Sequence, residues 1–263
     1  MKNDTEKVVI LIPIYRAFFD DFEKKSLKSV NQHLKSFPII FIAPESLDID
    51  FLKEYEIQFN YEICRFEDHF FKSINGYNQL LLSSHFYEAF LNYEYMLIFQ
   101  TDAYVFKNEL SLWISKGFDY IGAPWLDSEK ILFNHKSRFI FNKIKRIFGL
   151  KQRLYNHINQ VGNGGFSLRK TKLFYNISLK EKEQITYFLS NKEKENYHIE
   201  DVFWSLYVPQ KHSFLKPDYK TALCFCVDRK PEVAFGFLNG ELPFACHGFN
   251  KKGVVKFWSK YIS

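Results

Sequence analysis

The sequence predicts an α/β fold, with a mostly parallel central sheet and helices on both faces. Continuous apolar runs recur at Val8 to Ile14, Pro38 to Ala43 and Met96 to Phe99. Such runs read as parallel strands buried on both faces. Segments with apolar residues every three to four positions lie between them, which is the pattern of surface helices. Strand and helix alternate five times in the first ~120 residues, as crossovers over a parallel sheet require.

The first strand is Val8 to Ile14, and it ends on Tyr15 and Arg16. Phe22, Leu27, Val30 and Leu34 place a helix over Phe19 to Leu34. Pro38 to Ala43 is the second strand, Phe51 to Tyr55 a short helix, and Tyr61 to Phe66 an alternating third strand. Leu80, Leu81, Ser84, Tyr87 and Leu91 predict one long helix over Ser73 to Phe90. Tyr95 to Phe99 is the fourth strand, followed by Gln100, Thr101 and Asp102. A helical turn at Leu110 to Ile114 precedes a fifth strand, Tyr120 to Pro124.

The second half is less regular. Ile140, Phe141, Ile144, Ile147 and Phe148 share one helical arc, with Arg138, Lys145, Arg146 and Arg153 largely opposite. This basic amphipathic insertion, 138–153, reads first as a helix packed on the sheet. It also suits peripheral contact with an anionic membrane. Val161-Gly-Asn-Gly-Gly-Phe-Ser-Leu-Arg169 holds three glycines in four residues, predicting a tight turn that another group can approach closely. Lys180 to Asn196 reads as a solvated helix and loop. Glu200 and Asp201 open an apolar helix, where acids are favoured at the first turn or serve as cleft carboxylates. Ala222 to Val227 reads as a strand carrying Cys224 and Cys226 as core thiols. Ala234 to Phe237 reads as irregular. Leu242 to Phe249 ends in His247 beside Gly248, and the last ten residues say little.

Composition narrows the functional classes. The chain has 263 residues, of which 46% are hydrophobic and 19% aromatic, enough for a sizeable core. A net charge of +6 suits a phosphate-bearing ligand but is too sparse for a dedicated nucleic-acid binder. None of the four cysteines forms a Cys-x-x-Cys pair, so a zinc ribbon is not indicated. No apolar run reaches the roughly 18 residues that cross a bilayer, and no signal peptide precedes the first strand. The expected location is therefore cytoplasmic. No glycine fingerprint follows the first strand and no P-loop is present, which argues against a dinucleotide enzyme and a P-loop ATPase.

The ordered motifs resemble the GT-A class of nucleotide-sugar glycosyltransferases. More narrowly they are similar to an uncharacterised bacterial family of that class found in polysaccharide-type gene contexts. The resemblance rests on Pro13-Ile-Tyr-Arg16, Ser73-Ile-Asn-Gly-Tyr-Asn78, Gln100-Thr-Asp102, Asp119-Tyr-Ile-Gly-Ala-Pro-Trp125, the Gly162 to Arg169 stretch, Glu200-Asp201 and Pro243-Phe-Ala-Cys-His-Gly248. It implies a single GT-A-like (Rossmann-like) domain over 1–263, with a nucleotide-binding half at about 1–125 and an acceptor half at about 156–250. It implies a hexosyltransferase-type activity, moving a sugar from a nucleotide-sugar, first of all a UDP-sugar, to a glycan or lipid-linked glycan in bacterial surface polysaccharide synthesis.

In that class the fourth strand usually ends in Asp-x-Asp, and the second acid holds a divalent ion. Here the triplet is Gln100-Thr101-Asp102, so only the second acid is kept. The resemblance makes Asp102 and His247 the ligands of Mn²⁺ or Mg²⁺, with Tyr15, Arg16, Asn78, Gln100, Gly164, Gly165 and Arg169 as donor-binding residues. Asp201 or Glu200 is the candidate general base. The missing first acid also motivates a second reading, a non-catalytic nucleotide- or glycan-binding module on the same fold.

Overall fold

The computed structural model describes residues 4–126, 158–191 and 200–262. The basic segment 138–153 lies outside the described residues. The strands are β1 (Val8–Pro13), β2 (Ile39–Pro44), β3 (Tyr61–Phe66), β4 (Tyr95–Phe99), β5 (Ala103–Val105), β6 (Tyr120–Pro124), β7 (Val161–Lys170), β8 (Cys226–Val227) and β9 (Ala245–His247). Six form one sheet in the order β3-β2-β1-β4-β7-β6. β3, β2, β1 and β4 are parallel, and β7 enters antiparallel between β4 and β6.

Apolar residues on both faces of the strands explain the unbroken runs. Val8, Ile10 and Ile12 pack into one cluster with Phe41, Leu97 and Phe99. Val9 and Leu11 pack into the cluster on the other face, with Ile40, Ile42, Met96 and Ile98. Burying each such side chain contributes about 1.5–3 kcal/mol, so the two clusters hold the sheet rigid beneath whatever sits at its carboxyl edge.

The helix after β1 spans Asp21–His33 and starts with a capping box: Asp20 accepts from the N–H groups of Phe22 and Glu23, and Glu23 accepts from that of Asp20. Three orphan donors of the first turn are thereby satisfied.

Four local expectations are corrected. The long helix at 73–90 is two helices, Ile74–Leu82 and Ser84–Glu88, because Ser83 is extended and its hydroxyl caps the second by accepting from Phe86 N–H. A serine at such a site offers the backbone an alternative to continuing the helix. Residues 222–225 are helical, within Tyr219–Phe225, and only Cys226–Val227 is strand. Cys224 is consequently exposed while Cys226 is buried. Asp218 starts that helix by accepting from Lys220 and Thr221 N–H.

Residues 234–237 belong to a helix, Pro231–Phe237, with proline at its first position, where its missing N–H costs nothing. The glycine-rich stretch is no turn. It is the first half of a ten-residue strand, β7, which pairs with β6 at Asn163 and again at Ser167 and bulges between them. The C-terminal residues are structural. Trp258 is fully buried in a third cluster with Tyr104, Cys246 and Phe249.

That third cluster underlies a small second sheet, ordered β5-β9-β8. β5 and β9 are antiparallel, with Ala103 opposite His247. β8 and β9 are parallel, with Val227 opposite Cys246. The register sets three residues side by side: Asp102 just before β5, His247 at the end of β9, and Asp228 just after β8.

Candidate active site

A cavity of about 750 Å³ opens at the carboxyl ends of β1 and β4, where open α/β sheets place ligands. Its wall includes Tyr15, Arg16, Asn78, Gln100, Asp102, Gly164, Gly165, Glu200, Asp201 and His247. The fold therefore gathers residues 15 to 247 around one space. Arg169 is the expected site residue that does not reach it.

Asp102 and His247 meet, with His247 Nε2 3.0 Å from Asp102 Oδ1. The contact lacks hydrogen-bond alignment, and Asp102 Oδ1 is a buried acceptor with no hydrogen-bond partner. Nε2 also lies 3.2 Å from Gln100 Oε1. On the other side of the ring, Nδ1 lies 3.0 Å from Asp228 Oδ1, and both side chains are buried. Burial disfavours the imidazolium, but Asp102 and Asp228 outweigh it and raise His247 to about 9. Burial likewise opposes ionisation of Asp228. Its hydrogen bond and charge contact with His247, and then Lys251 Nζ at 3.2 Å, hold its carboxyl well below the usual range.

An orphaned carboxylate oxygen, an imidazole nitrogen and an amide oxygen that converge this way suit a hard divalent cation. Among the described residues no group of three or more His, Cys, Asp or Glu side chains gathers to hold an ion. The protein donors here are thus Asp102, His247 and the Gln100 amide. Mg²⁺ and its analogues commonly combine one or two such groups with water and substrate phosphate, so the residues fit the ion. A proton on Nε2 and a cation compete for the same lone pair.

The second acidic centre lies on the other side of Gly164 and Gly165. Arg169 is fully buried, and its Nη1 donates to Glu200 Oε1 at 2.7 Å and to Tyr87 Oη at 2.9 Å, while Nε donates to Ser167 Oγ at 3.0 Å. The pair neutralises both charges inside the protein. Arg169 is therefore a buried counter-ion and not a phosphate contact, and Glu200 is committed to it. Asp201 is different. It accepts from Gly164 N–H at 3.1 Å, faces the cavity, and its carboxyl is pushed well above the usual range by burial and then by Glu200.

The glycines are needed for space and not for backbone freedom, since none of Gly162, Gly164 and Gly165 has a positive φ. A Cβ on Gly164 would sit 2.5 Å from Asp201 Oδ1 and 2.8 Å from Glu200 Oε2. On Gly165 it would overlap His247 Nε2 and lie 2.6 Å from Gln100 Oε1. The close approach expected at these glycines is thus made by the site's own side chains.

At the other end of the cavity, Tyr15 is exposed on the rim. Arg16 Nη2 donates to Glu23 Oε2 at 2.6 Å and Asp20 Oδ2 at 3.0 Å, leaving a buried Nε without a partner. Glu23 also accepts from Thr101 Oγ1 at 2.8 Å, which ties the first helix to the residue before Asp102. Glu23, Thr101 and Asp228 escaped the sequence reading. Glu23 had a signal, the Asp-x-x-Glu capping pattern at Asp20. Asp228, beside Arg229 and Lys230, reads as solvated charge.

The family described as "Protein of unknown function (DUF5672)" matches residues 60–247, most of the chain. No curated protein matches the sequence. Among solved structures the chain is similar to mouse xyloside xylosyltransferase 1 in its apo form, at 11% identity and a TM-score of 0.51, covering 93% of this chain and 98% of that one. It is also similar to the glycosyltransferase GlyE of Streptococcus pneumoniae TIGR4, at 11% identity and a TM-score of 0.49, covering 91% of this chain and 54% of that one. A third similar structure is the Mn/GDP form of core-mannan synthase A from Aspergillus fumigatus, at 12% identity and a TM-score of 0.43, covering 68% of this chain and 64% of that one. At such identity the likeness to the mouse enzyme shows the fold alone, which is the expected GT-A-like, mostly parallel architecture.

Proposed function

We propose that this chain, which belongs to the DUF5672 family, is a glycosyltransferase that moves a sugar from a nucleotide-sugar to a glycan or lipid-linked glycan acceptor. The observation that carries the reading is the convergence of Asp102, His247 and Gln100 on one wall of the cavity, at the carboxyl edge where open α/β sheets place ligands. We infer a nucleotide-binding half at about 1–125 and an acceptor half at about 156–250. A UDP-sugar is the first donor to test, and bacterial surface polysaccharide synthesis is the proposed setting. No helix among the described residues is long and apolar enough to cross a membrane.

Asp102, His247 and the Gln100 amide would hold Mn²⁺ or Mg²⁺. When bound, that ion supplies positive charge against the leaving diphosphate. Tyr15 offers an aromatic face at the rim, and Arg16 and Asn78 line the same cavity and would bind the donor. Asp201 is the group that takes the proton from the acceptor hydroxyl. Its raised pKa brings a carboxyl, ordinarily a weak base, closer to the working pH. Glu200, whose Oε1 is paired with Arg169, is the second candidate for that role.

The test is a screen of UDP-, GDP- and CMP-sugars for transfer or hydrolysis that depends on added Mn²⁺ or Mg²⁺. Asp102→Asn is expected to lower the rate on the order of 10³-fold, the equivalent of about 4 kcal/mol of charge stabilisation. Full activity of that variant with EDTA present would overturn the cation role. Gln100 in place of an acid favours one other reading, a binding module without turnover. UDP binding indifferent to Mn²⁺, with no turnover on any donor, would establish it.

A further inference from the structure

We propose that Asp228 is the positioning residue of the cation site: it holds the Nδ1–H of His247 and so presents Nε2 to the cation. The proposal rests on reading Asp102 and His247 as cation ligands. Asp228 does not line the cavity, and its side chain is only 3% exposed. It touches the site through the imidazole alone.

The backbone explains why it is there. β8 is only two residues long, yet it pairs in parallel with β9, and Val227 opposite Cys246 brings the next residues, Asp228 and His247, together. β5 does the same on the other edge, where Ala103 opposite His247 brings up Asp102. His247 thus stands on the middle strand of three, with a carboxylate on each side at 3.0 Å, one per ring nitrogen.

The two carboxylates are not equivalent. Asp102 lines the cavity, and its side chain is partly exposed there. Asp228 is tied down behind the ring, with Lys251 Nζ 3.2 Å from Oδ1 and Arg229 Nε 3.4 Å from Oδ2. In a neutral imidazole one nitrogen donates and the other accepts, so a fixed acceptor at Nδ1 decides which is which. A carboxylate in that position also makes the free nitrogen a better ligand. When a cation takes the place of the Nε2 proton, Asp228 keeps the remaining proton on Nδ1 and turns the Nε2 lone pair to the side of Asp102 and Gln100.

The experiment compares metal-free full-length wild type with Asp228→Asn, Asp228→Ala and His247→Ala. Mn²⁺ affinity is measured by calorimetry, the ring tautomer with Mg²⁺ present by ¹⁵N NMR of histidine-labelled protein, and folding by thermal unfolding. The alanine variant is expected to bind Mn²⁺ about 100-fold more weakly and to show His247 protonated at Nε2 in part of the population. The asparagine variant still accepts from Nδ1–H and is expected to lose about tenfold. It carries the comparison alone if the alanine variant does not fold. Mn²⁺ affinity within twofold of wild type in the asparagine or alanine variant, with His247→Ala abolishing binding, overturns the role of Asp228 while leaving the cation site intact. Equal Mn²⁺ affinity in wild type and His247→Ala overturns the cation reading, and this proposal with it.

Discussion

Two acid-bearing centres flank the same pair of glycines and use their carboxylates in opposite ways. On the His247 side the charges stay at the cavity wall, where Asp102 and the imidazole meet at 3.0 Å. On the Glu200 side the charge is cancelled within the protein by Arg169, itself held by Tyr87 and Ser167. Glu200 and Asp201 are neighbours in sequence and both line the cavity, yet only Glu200 is paired with the buried guanidinium. Their adjacency on a helix's first turn says nothing about which does which. The buried guanidinium decides it.

The largest expected effect breaks the comparison at Asp201. Asp201→Asn is expected to lower sugar transfer about 10²- to 10⁴-fold, as loss of a general base does, while leaving Mn²⁺ affinity unchanged. Asparagine still accepts from Gly164 N–H. The pH dependence has a definite sign. Asp201 is raised above its unfolded value, so its contribution to stability is present at low pH and fades as pH rises through the folded pKa. Denaturant titrations at a series of pH values should show the asparagine variant gaining on wild type as pH increases. A constant difference would refute the raised pKa.

Glu200→Gln is next and should act on stability. It leaves Arg169 charged and buried without its counter-ion, which costs about 3–5 kcal/mol. Urea unfolding checks it, and a loss below about 1 kcal/mol would mean that Glu200 carries little of the charge balance.

The smallest effects separate the two sides. Gly164→Ala and Gly165→Ala each add one methyl to a tight wall, at a cost of about 1–3 kcal/mol. The first should disturb Asp201 and spare Mn²⁺ binding. The second should weaken Mn²⁺ binding, because the methyl meets His247 and Gln100. Calorimetry giving the same Mn²⁺ affinity for both variants would show that the centres are not separable.

Much of the fold was legible because strands buried on both faces leave unbroken apolar runs. β1, β2 and β4 announce themselves this way. β8 does not: two residues are too few for any periodicity, and a seven-residue helix just before it carries Ala222, Leu223 and Phe225 at spacings a strand also allows. The glycine cluster marked the site, but space and turn geometry leave the same trace in a sequence, and here the reason is space. Most expected site residues came together because a sheet's carboxyl edge collects the ends of several strands. Arg169 did not, since nothing local distinguishes a guanidinium that faces substrate from one that faces a buried glutamate. Asp228 was invisible for the complementary reason: its partner is 19 positions away and is reached only through strand pairing.

The bare backbone of Gly164 and Gly165 has a consequence for the spacing of the site. It acts as a partition one peptide thick, with Asp201 and Glu200 on one side and His247 and Gln100 on the other. A one-residue slip of β7 against β4 would present Phe166 where a glycine now stands and close the gap to both. The pairing of β4 with β7, Phe99 opposite Phe166, is in this sense a gauge that sets how far apart the two acid-bearing centres stand.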